Sequence, residues 1–312
     1  VKALIVGFGG MGCRHASSLY KGKQFHEIWI LEPSKDIFID NCARIEISDS
    51  EFKHVTEIES LPNDLDFAVI ATTSIPRLNI FKILAEEKNI KYFLLEKVVF
   101  QSKFQFNVAV DIINKLNVNA YCNFVNRYFP NYQKIKQQIN NNKPFSMIVS
   151  GGEFGLGCNS LHYIDLFQYL SSDKPNVIDY SLSENLNTHK RGSSFKEVTG
   201  QMLWKTSSGD TLILNSQIGK AIDVEITIQY NNDVDILNEG AQTHCKLYGN
   251  TFSNSKFEIL FTSYLTNVIF NDIINGTCVL PKVEETFNIH AQLFESVNDT
   301  VGISVEDNCP IT

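Results

Sequence analysis

Across residues 1 to 121, short apolar runs alternate with segments of helical period. KALIVG leads into MGCRHASSLY, EIWILE follows, and then come DFAVIAT, RLNIFKILAEEK, KYFLLEK, FNVAVDIINKL and VNAYC. Runs such as ALIVG, FAVIA and YFLL lack the in-and-out alternation of a one-faced sheet, as central strands covered by helices on both faces do. Strand alternating with helix predicts βαβ units, and hence an α/β domain with a doubly wound parallel sheet.

Beyond Cys122 the pattern changes. PNYQKIKQQI has a helical period, FSMIVSGGEF reads as a strand, and NSLHYIDLFQYLS is helical again. After it GQMLWKT, DTLILNSQI, DVEITIQY, DVDIL and HCKLYG alternate with period two. That alternation predicts a large, mainly antiparallel sheet with one face on helices and the other left open. A closing helix is expected over about residues 284 to 301, EETFNIHAQLFESVNDTV, packed near the domain junction. The 312 residues therefore divide into an α/β domain, 1–121, and an α+β domain, 122–312. NNNKP and YNND read as turns, and no internal repeat is visible.

Composition adds exclusions. With 43% hydrophobic residues each part can build a core. No run reaches the roughly eighteen apolar residues of a spanning helix, and the chain enters KALIVG without a signal-peptide pattern. A soluble, cytoplasmic protein with no membrane partner is expected. Seven scattered cysteines without a CxxC pair argue for reduced thiols over a disulfide framework or zinc knuckle. A formal net charge of −8 opposes a nucleic-acid partner, since phosphate backbones are held by clustered Lys and Arg. The densest basic cluster, HKRG at His189 to Gly192, either meets a substrate phosphate or forms a solvated loop.

The candidate chemistry begins at Gly7, Gly9 and Gly12, a GxGxxG between a strand and a helix. Gly7 permits the tight turn, Gly9 lets the backbone approach a pyrophosphate, and Gly12 allows close helix-to-strand packing. Phe8, Gly10 and Met11 complete the loop, and Thr72, closing DFAVIAT, joins the candidate cofactor residues. Glu32 ends the second strand twenty residues past Gly12, where it can accept hydrogen bonds from the adenosine ribose and repel a 2′-phosphate. That favours NAD over NADP, with Lys35 nearby as the opposing sign.

Glu96 and Lys97 follow a buried strand at the edge where an open α/β sheet gathers ligands, within reach of a nicotinamide. Lys97 is otherwise a solvated strand-end lysine. On the helix after GGEFGLG, Cys158, His162 and Asp165 share one face at 100° per residue. His162 can take a proton from a hydroxyl whose carbon loses hydride, while Asp165 fixes its tautomer or tunes a neighbouring lysine. A capped amphipathic helix with His162 satisfied at an interface is the alternative. A metal shared by these three lacks further clustered ligands, so no metal is expected.

These pieces together resemble the Gfo/Idh/MocA family of NAD(P)-dependent oxidoreductases. The likeness runs through VGFGGMGCRHASSL, DFAVIAT, LEKVVF in place of the family's EKP motif, NRYFPNY and HYIDL. It implies a Rossmann domain followed by an open-faced sheet domain acting on sugars, cyclitols or nucleotide-linked sugars. It makes Lys97 and His162 the catalytic pair, aided by Asp165, and places Asn123, Asn126, Arg127, Asn159 and His162 at the substrate. Arg127 would hold a carboxylate or phosphate there, or fasten the domains as a salt bridge. Val98 stands where the family has Pro, and Cys158, followed by Asn159, stands where many members have an Asp. The expected activity is hydride transfer between nicotinamide and a secondary alcohol or ketone, with a homodimer or homotetramer formed through the open sheet face. The alternative is a cofactor-binding regulatory protein that has lost catalysis. A cofactor that stays bound and recycles is a third arrangement.

Overall fold

The computed structural model describes residues 1–139, 143–185, 192–219 and 222–312. Its contacts divide into two compact units, Val1–Phe100 with Phe104–Val125 and Leu260–Glu285, and Gln101–Lys103 with Asn126–Ile259 and Thr286–Thr312. The stretch 260–285, which the sequence pattern assigned to the second domain, packs in the first unit.

The first unit is built from β1 (Lys2–Val6), α1 (Gly10–Gly22), β2 (Glu27–Leu31), α2 (Lys35–Arg44), β3 (Lys53–Val55), β4 (Asp64–Ile70), α3 (Ser74–Glu87), β5 (Asn89–Leu95), α4 (Lys103–Leu116) and β6 (Asn119–Cys122). Its sheet runs β3-β2-β1-β4-β5-β6, every pair parallel. Residues Ala3 to Val6 and Phe67 to Ile70 are buried, which accounts for the unbroken apolar runs. Strand order reverses between β1 and β4, so the chain leaves their carboxyl ends in opposite directions and opens a crevice there. Gly7 and Thr72 lie at that edge.

The second unit contains α5 (Pro130–Gln138), β7 (Ser146–Gly152), α6 (Leu156–Ser171), β8 (Asn176–Asn185), β9 (Glu197–Lys205), β10 (Thr211–Gln217), β11 (Glu225–Tyr230), β12 (Asp233–Asn238), β13 (Thr243–Tyr248) and β14 (Thr251–Lys256). The sheet order is β14-β13-β12-β11-β7-β10-β9-β8. Only the β7–β10 pair is parallel among these neighbours, so the sheet is mainly antiparallel. Met147, Val149, Met202, Trp204, Leu212, Leu214, Ile226 and Ile228 are buried on one face, and α6 packs against β9 and β10.

Two helices follow β14. α7 (Thr262–Asn275) belongs to the first unit and lies along α1. The small α1 residues Ala16, Ser17 and Ser18 are buried; Ser18 Oγ accepts from the Asn267 backbone N–H at 3.0 Å. α8 (Phe287–Thr300) packs in the second unit against α6 and β8. No helix among the described residues is long and apolar enough to cross a membrane.

Candidate active site

The glycine loop joins β1 to α1. Gly7 has φ +82°, and a Cβ there would stand 3.1 Å from Thr72 Cγ2. A Cβ on Gly12 would meet the Gly7 carbonyl oxygen at 2.0 Å, so only glycine lets the helix approach this closely. By contrast, nothing lies within 4 Å of a Cβ placed on Gly9 or Gly10. α1 starts there without a side-chain cap and without an acid in its first turn. Its first N–H groups have no partner within the helix, and the helix dipole favours an anion at this end. These residues fit a dinucleotide's pyrophosphate.

Phe8 takes a different part from its neighbours. Its ring is buried against Phe38 and Phe52, at centroid distances of 5.6 and 6.0 Å. Its N–H donates to Glu32 Oε2 at 3.0 Å, and its carbonyl accepts from Asn41 Nδ2 at 2.6 Å. Phe8 therefore anchors the loop through its side chain and both main-chain groups. Met11 is half-buried in the first turn of α1. Glu32 Oε1 also accepts from the Ser34 N–H at 3.2 Å. A carboxylate has about four lone-pair sites, so these two bonds orient Glu32 and leave capacity for ribose hydroxyls.

At the ends of β4 and β5, one side chain organises the main chain. Arg77 of α3, 1% exposed, donates through Nη1 to the carbonyl of Glu96 at 2.5 Å, to that of Val98, and to that of Val99 at 3.3 Å. Its Nη2 donates to the Thr72 carbonyl. The Lys97–Val98 peptide is cis. Lys97 is half-buried, and Thr72 Oγ1 is buried with no hydrogen-bond partner.

Glu96 is buried, and its carboxylate faces protein groups. Oε1 accepts from His15 Nε2 at 2.9 Å and from Asn123 Nδ2 at 2.6 Å. Burial alone would raise its carboxyl, but the His15 and Asn123 donors and the Arg77 charge outweigh it and bring the pKa down to about 2. Asn123, which the resemblance places at the substrate, has its amide nitrogen held by Glu96, while its Oδ1 is buried without a hydrogen-bond partner. His15, Arg77 and Asn41 went unread in the sequence.

The second unit supplies the remaining candidates. Gly155, φ +80°, leads into α6, whose N-terminus has no cap from its own segment. The carboxylate of Glu197 takes that place, accepting from the N–H groups of Gly157 and of Cys158, the latter at 3.4 Å. Asn159 Nδ2 donates to the Phe154 carbonyl at 2.6 Å, and His162 is half-buried one turn further on. Next to it, Tyr163 donates to Glu239 Oε1 at 3.0 Å.

Asp165 is fully buried and binds Arg127 through both oxygens, at 2.8 Å from Nε and 2.7 Å from Nη2. This changes two expectations. The Asp165 carboxylate, expected to orient His162 or a lysine, is engaged by Arg127. Arg127, expected at a substrate anion or in a bridge between domains, pairs with Asp165 within the second unit and lies over the Tyr169 ring at 5.1 Å. Asn126 is buried beside it in the chain. Among the described residues no three of His, Cys, Asp and Glu could hold a metal ion. His189 to Arg191 of the basic cluster, and residues 140–142 of NNNKP, lie outside the described residues.

Neither a protein-family model nor a curated protein sequence matches the chain. Solved structures do match over almost its whole length. The UDP-N-acetylglucosamine 3-dehydrogenase GnnA from Acidithiobacillus ferrooxidans superposes with a TM-score of 0.76 at 12% identity, over 96% of this chain and 97% of that one. An oxidoreductase from Agrobacterium radiobacter, in complex with NAD+, L-tartaric acid and magnesium, gives 0.74 at 13% identity over 96% of each chain. The super-repressor mutant of Gal80p from Saccharomyces cerevisiae gives 0.75 at 15% identity over 98% of each. At such identities the likeness is one of fold, a parallel Rossmann-like sheet joined to a second, mainly antiparallel sheet.

Proposed function

We propose that the chain is an NAD(H)-dependent oxidoreductase acting on a secondary alcohol or ketone of a sugar, cyclitol or nucleotide-linked sugar. The observation that carries this reading is the glycine cradle at the strand-order reversal of the parallel sheet, with Glu32 fixed at the neighbouring strand end. Gly7, Gly9, Gly10, Met11 and Gly12 would hold the pyrophosphate, and Glu32 the adenosine ribose. Thr72 and Lys97 would face the nicotinamide end. Glu32 supports NAD over NADP, because its charge would repel a 2′-phosphate.

When bound, the nicotinamide supplies a hydride acceptor or donor. The remaining work falls to the side chains. His162 would take the hydroxyl proton in one direction and return it in the other, and Lys97 would hydrogen-bond the same oxygen as charge develops on it. Arg127 and Asp165, paired with each other, would shape the floor beneath His162. Asn159 would bind substrate hydroxyls.

The deciding experiment incubates the purified protein with NAD+ and a panel of hexoses, cyclitols and nucleotide-linked hexoses while following NADH absorbance. The spectrum of the protein as purified shows whether bound cofactor recycles. Lys97→Met should lower turnover by roughly 10²-fold or more, the scale of acid–base and oxyanion effects, while NADH binding persists. Wild-type turnover in that variant would remove Lys97 from the reaction.

The similarity to a Gal80p super-repressor favours a second reading, a regulatory protein that binds the cofactor without turning it over. NADH binding with no turnover across the panel would select it.

A further inference from the structure

We propose that His15 is a positioning residue for Lys97, acting through Glu96; this rests on the reading of Lys97 as catalytic. His15 lies on α1, the helix that begins at the glycine loop, and is 0% exposed. Its Nδ1 meets Thr266 Oγ1 of α7 at 2.8 Å, and its Nε2 meets Glu96 Oε1 at 2.9 Å. An ionised carboxylate can only accept, so Nε2 carries a proton and donates. The ring is thereby fixed between two helices and the end of β5.

Glu96 receives support from every side. Its N–H donates to the Ile70 carbonyl of β4 at 3.1 Å, and its own carbonyl takes Arg77 Nη1 of α3. Its carboxylate takes His15 of α1 and Asn123 from beyond β6. The side chains that bond its carboxylate are His15 and Asn123, and the Arg77 charge lies close by. Lys97 follows directly, and the carbonyls of Val98 and Val99 return to Arg77. Lys97 therefore leaves a main chain that is held on both sides, and of these holds only His15 connects to the phosphate-binding helix. Through His15 the helix of the cradle and the strand end that carries Lys97 are directly bonded.

A side chain that fixes geometry is worth more to the reaction than to ground-state binding, because catalysis is sensitive to small misplacements. Removing the His15 donor leaves the Glu96 carboxylate buried with Asn123 as its remaining side-chain donor, and the carboxylate would then turn toward water and carry the strand end with it.

The test compares His15→Leu with His15→Gln, which keeps a donor. Hydrogen exchange at residues 96–100 should quicken about tenfold or more in His15→Leu, as local opening becomes easier. With the panel compound that yields NADH fastest, kcat should fall about tenfold or more, while KM for NAD+ and the NADH dissociation constant stay within about threefold. His15→Gln should restore most of the kcat. Wild-type exchange and kcat in His15→Leu would overturn the proposal. So would a kcat loss matched by equal loss of NADH affinity and left unrescued by glutamine. Should His15→Leu fail to fold, Glu96→Gln should show the same separation of kcat from binding, and wild-type kcat there overturns the idea. If no panel compound yields NADH, the oxidoreductase reading fails, while exchange at 96–100 still decides whether His15 holds this segment.

Discussion

Arg77 holds four carbonyls, those of Thr72, Glu96, Val98 and Val99, with a side chain almost wholly buried. Arg77→Met would take away that donor, and each buried acceptor so orphaned costs about 1–3 kcal/mol, so a loss of at least about 3 kcal/mol is expected in urea titration. A loss under about 1 kcal/mol would mean that the carbonyls find other donors. Glu96 gives a pH-dependent counterpart. Its folded value, about 2, lies below the ordinary 4.5, so its contribution is fully present above 4.5 and is lost as pH falls toward about 2. Stability of Glu96→Gln should therefore fall less steeply than wild type across that window, and parallel curves would refute the assignment. Neither role could be read from the sequence. Arg77 in RLNIFKILAEEK looks like a solvent-facing helix residue, and its partners are main-chain carbonyls, which leave no mark on residue type. Glu32 was legible because the carboxyl end of a second strand is a fixed place in this architecture, though its bond to the Phe8 N–H was not. The shared face of His162 and Asp165 followed from helix geometry, whereas Arg127, thirty-eight residues from Asp165, could be paired with it only by the fold.

At the scale of elements, the strand–loop–helix of β1 and α1 separates two demands on glycine. Gly12→Ala places a methyl 2.0 Å from the Gly7 carbonyl oxygen, a main-chain atom that cannot turn aside. It should destabilise the first unit by several kcal/mol, of the order of about 3, as overpacking against backbone does. Gly9→Ala places its methyl where no atom lies within 4 Å, so the protein should melt within a few degrees of wild type and yet bind NADH about tenfold or more weakly. Equal NADH affinity in Gly9→Ala would mean that the loop does not approach a phosphate. Elements with strong apolar patterning were legible, and those lacking it were not. α7 carries Thr, Val and Ile at many positions, residues that favour strands, and forms a helix because it lies along α1 and ends on Gly276 in the left-handed region. β14, TFSNSK, is exposed throughout at the sheet edge and shows no buried face. α6 was readable as a helix, but its N-terminal support comes from Glu197 at the start of β9, a contact that no local motif announces.

The whole molecule sets an apolar surface against a net charge of −8. Cross-strand register aligns Leu203, Ile213, Ile148, Thr227, Ile236 and Cys245 in one row on the face of the second sheet opposite Met147, Met202, Leu212 and Ile226. On one side the adjacent row holds Gln201, Asn215, Ser150, Glu225 and Asn238; on the other, Lys205, Thr211, Ser146 and Gln229 give way to Val234 and Leu247. Ile148 is 40% exposed within the single chain. An apolar row bordered largely by polar residues suits a subunit interface, and a face that meets its own copy about a twofold axis needs no second complementary surface. We therefore propose a homodimer or homotetramer through this face. Charge constrains the pairing, because two copies that each carry −8 repel at long range and associate only where the apolar row outweighs that repulsion at short range. Salt should then strengthen association by screening, with a Debye length of about 8 Å near physiological ionic strength. Sedimentation of the wild type should show a dimer or larger at micromolar concentration, tightening as salt is added. Ile148→Lys with Ile236→Lys should yield a monomer with an unchanged melting profile of the core, since both side chains point away from it. An assembly that survives both lysines would place the interface elsewhere, on a surface that the row of β-strand residues does not reach.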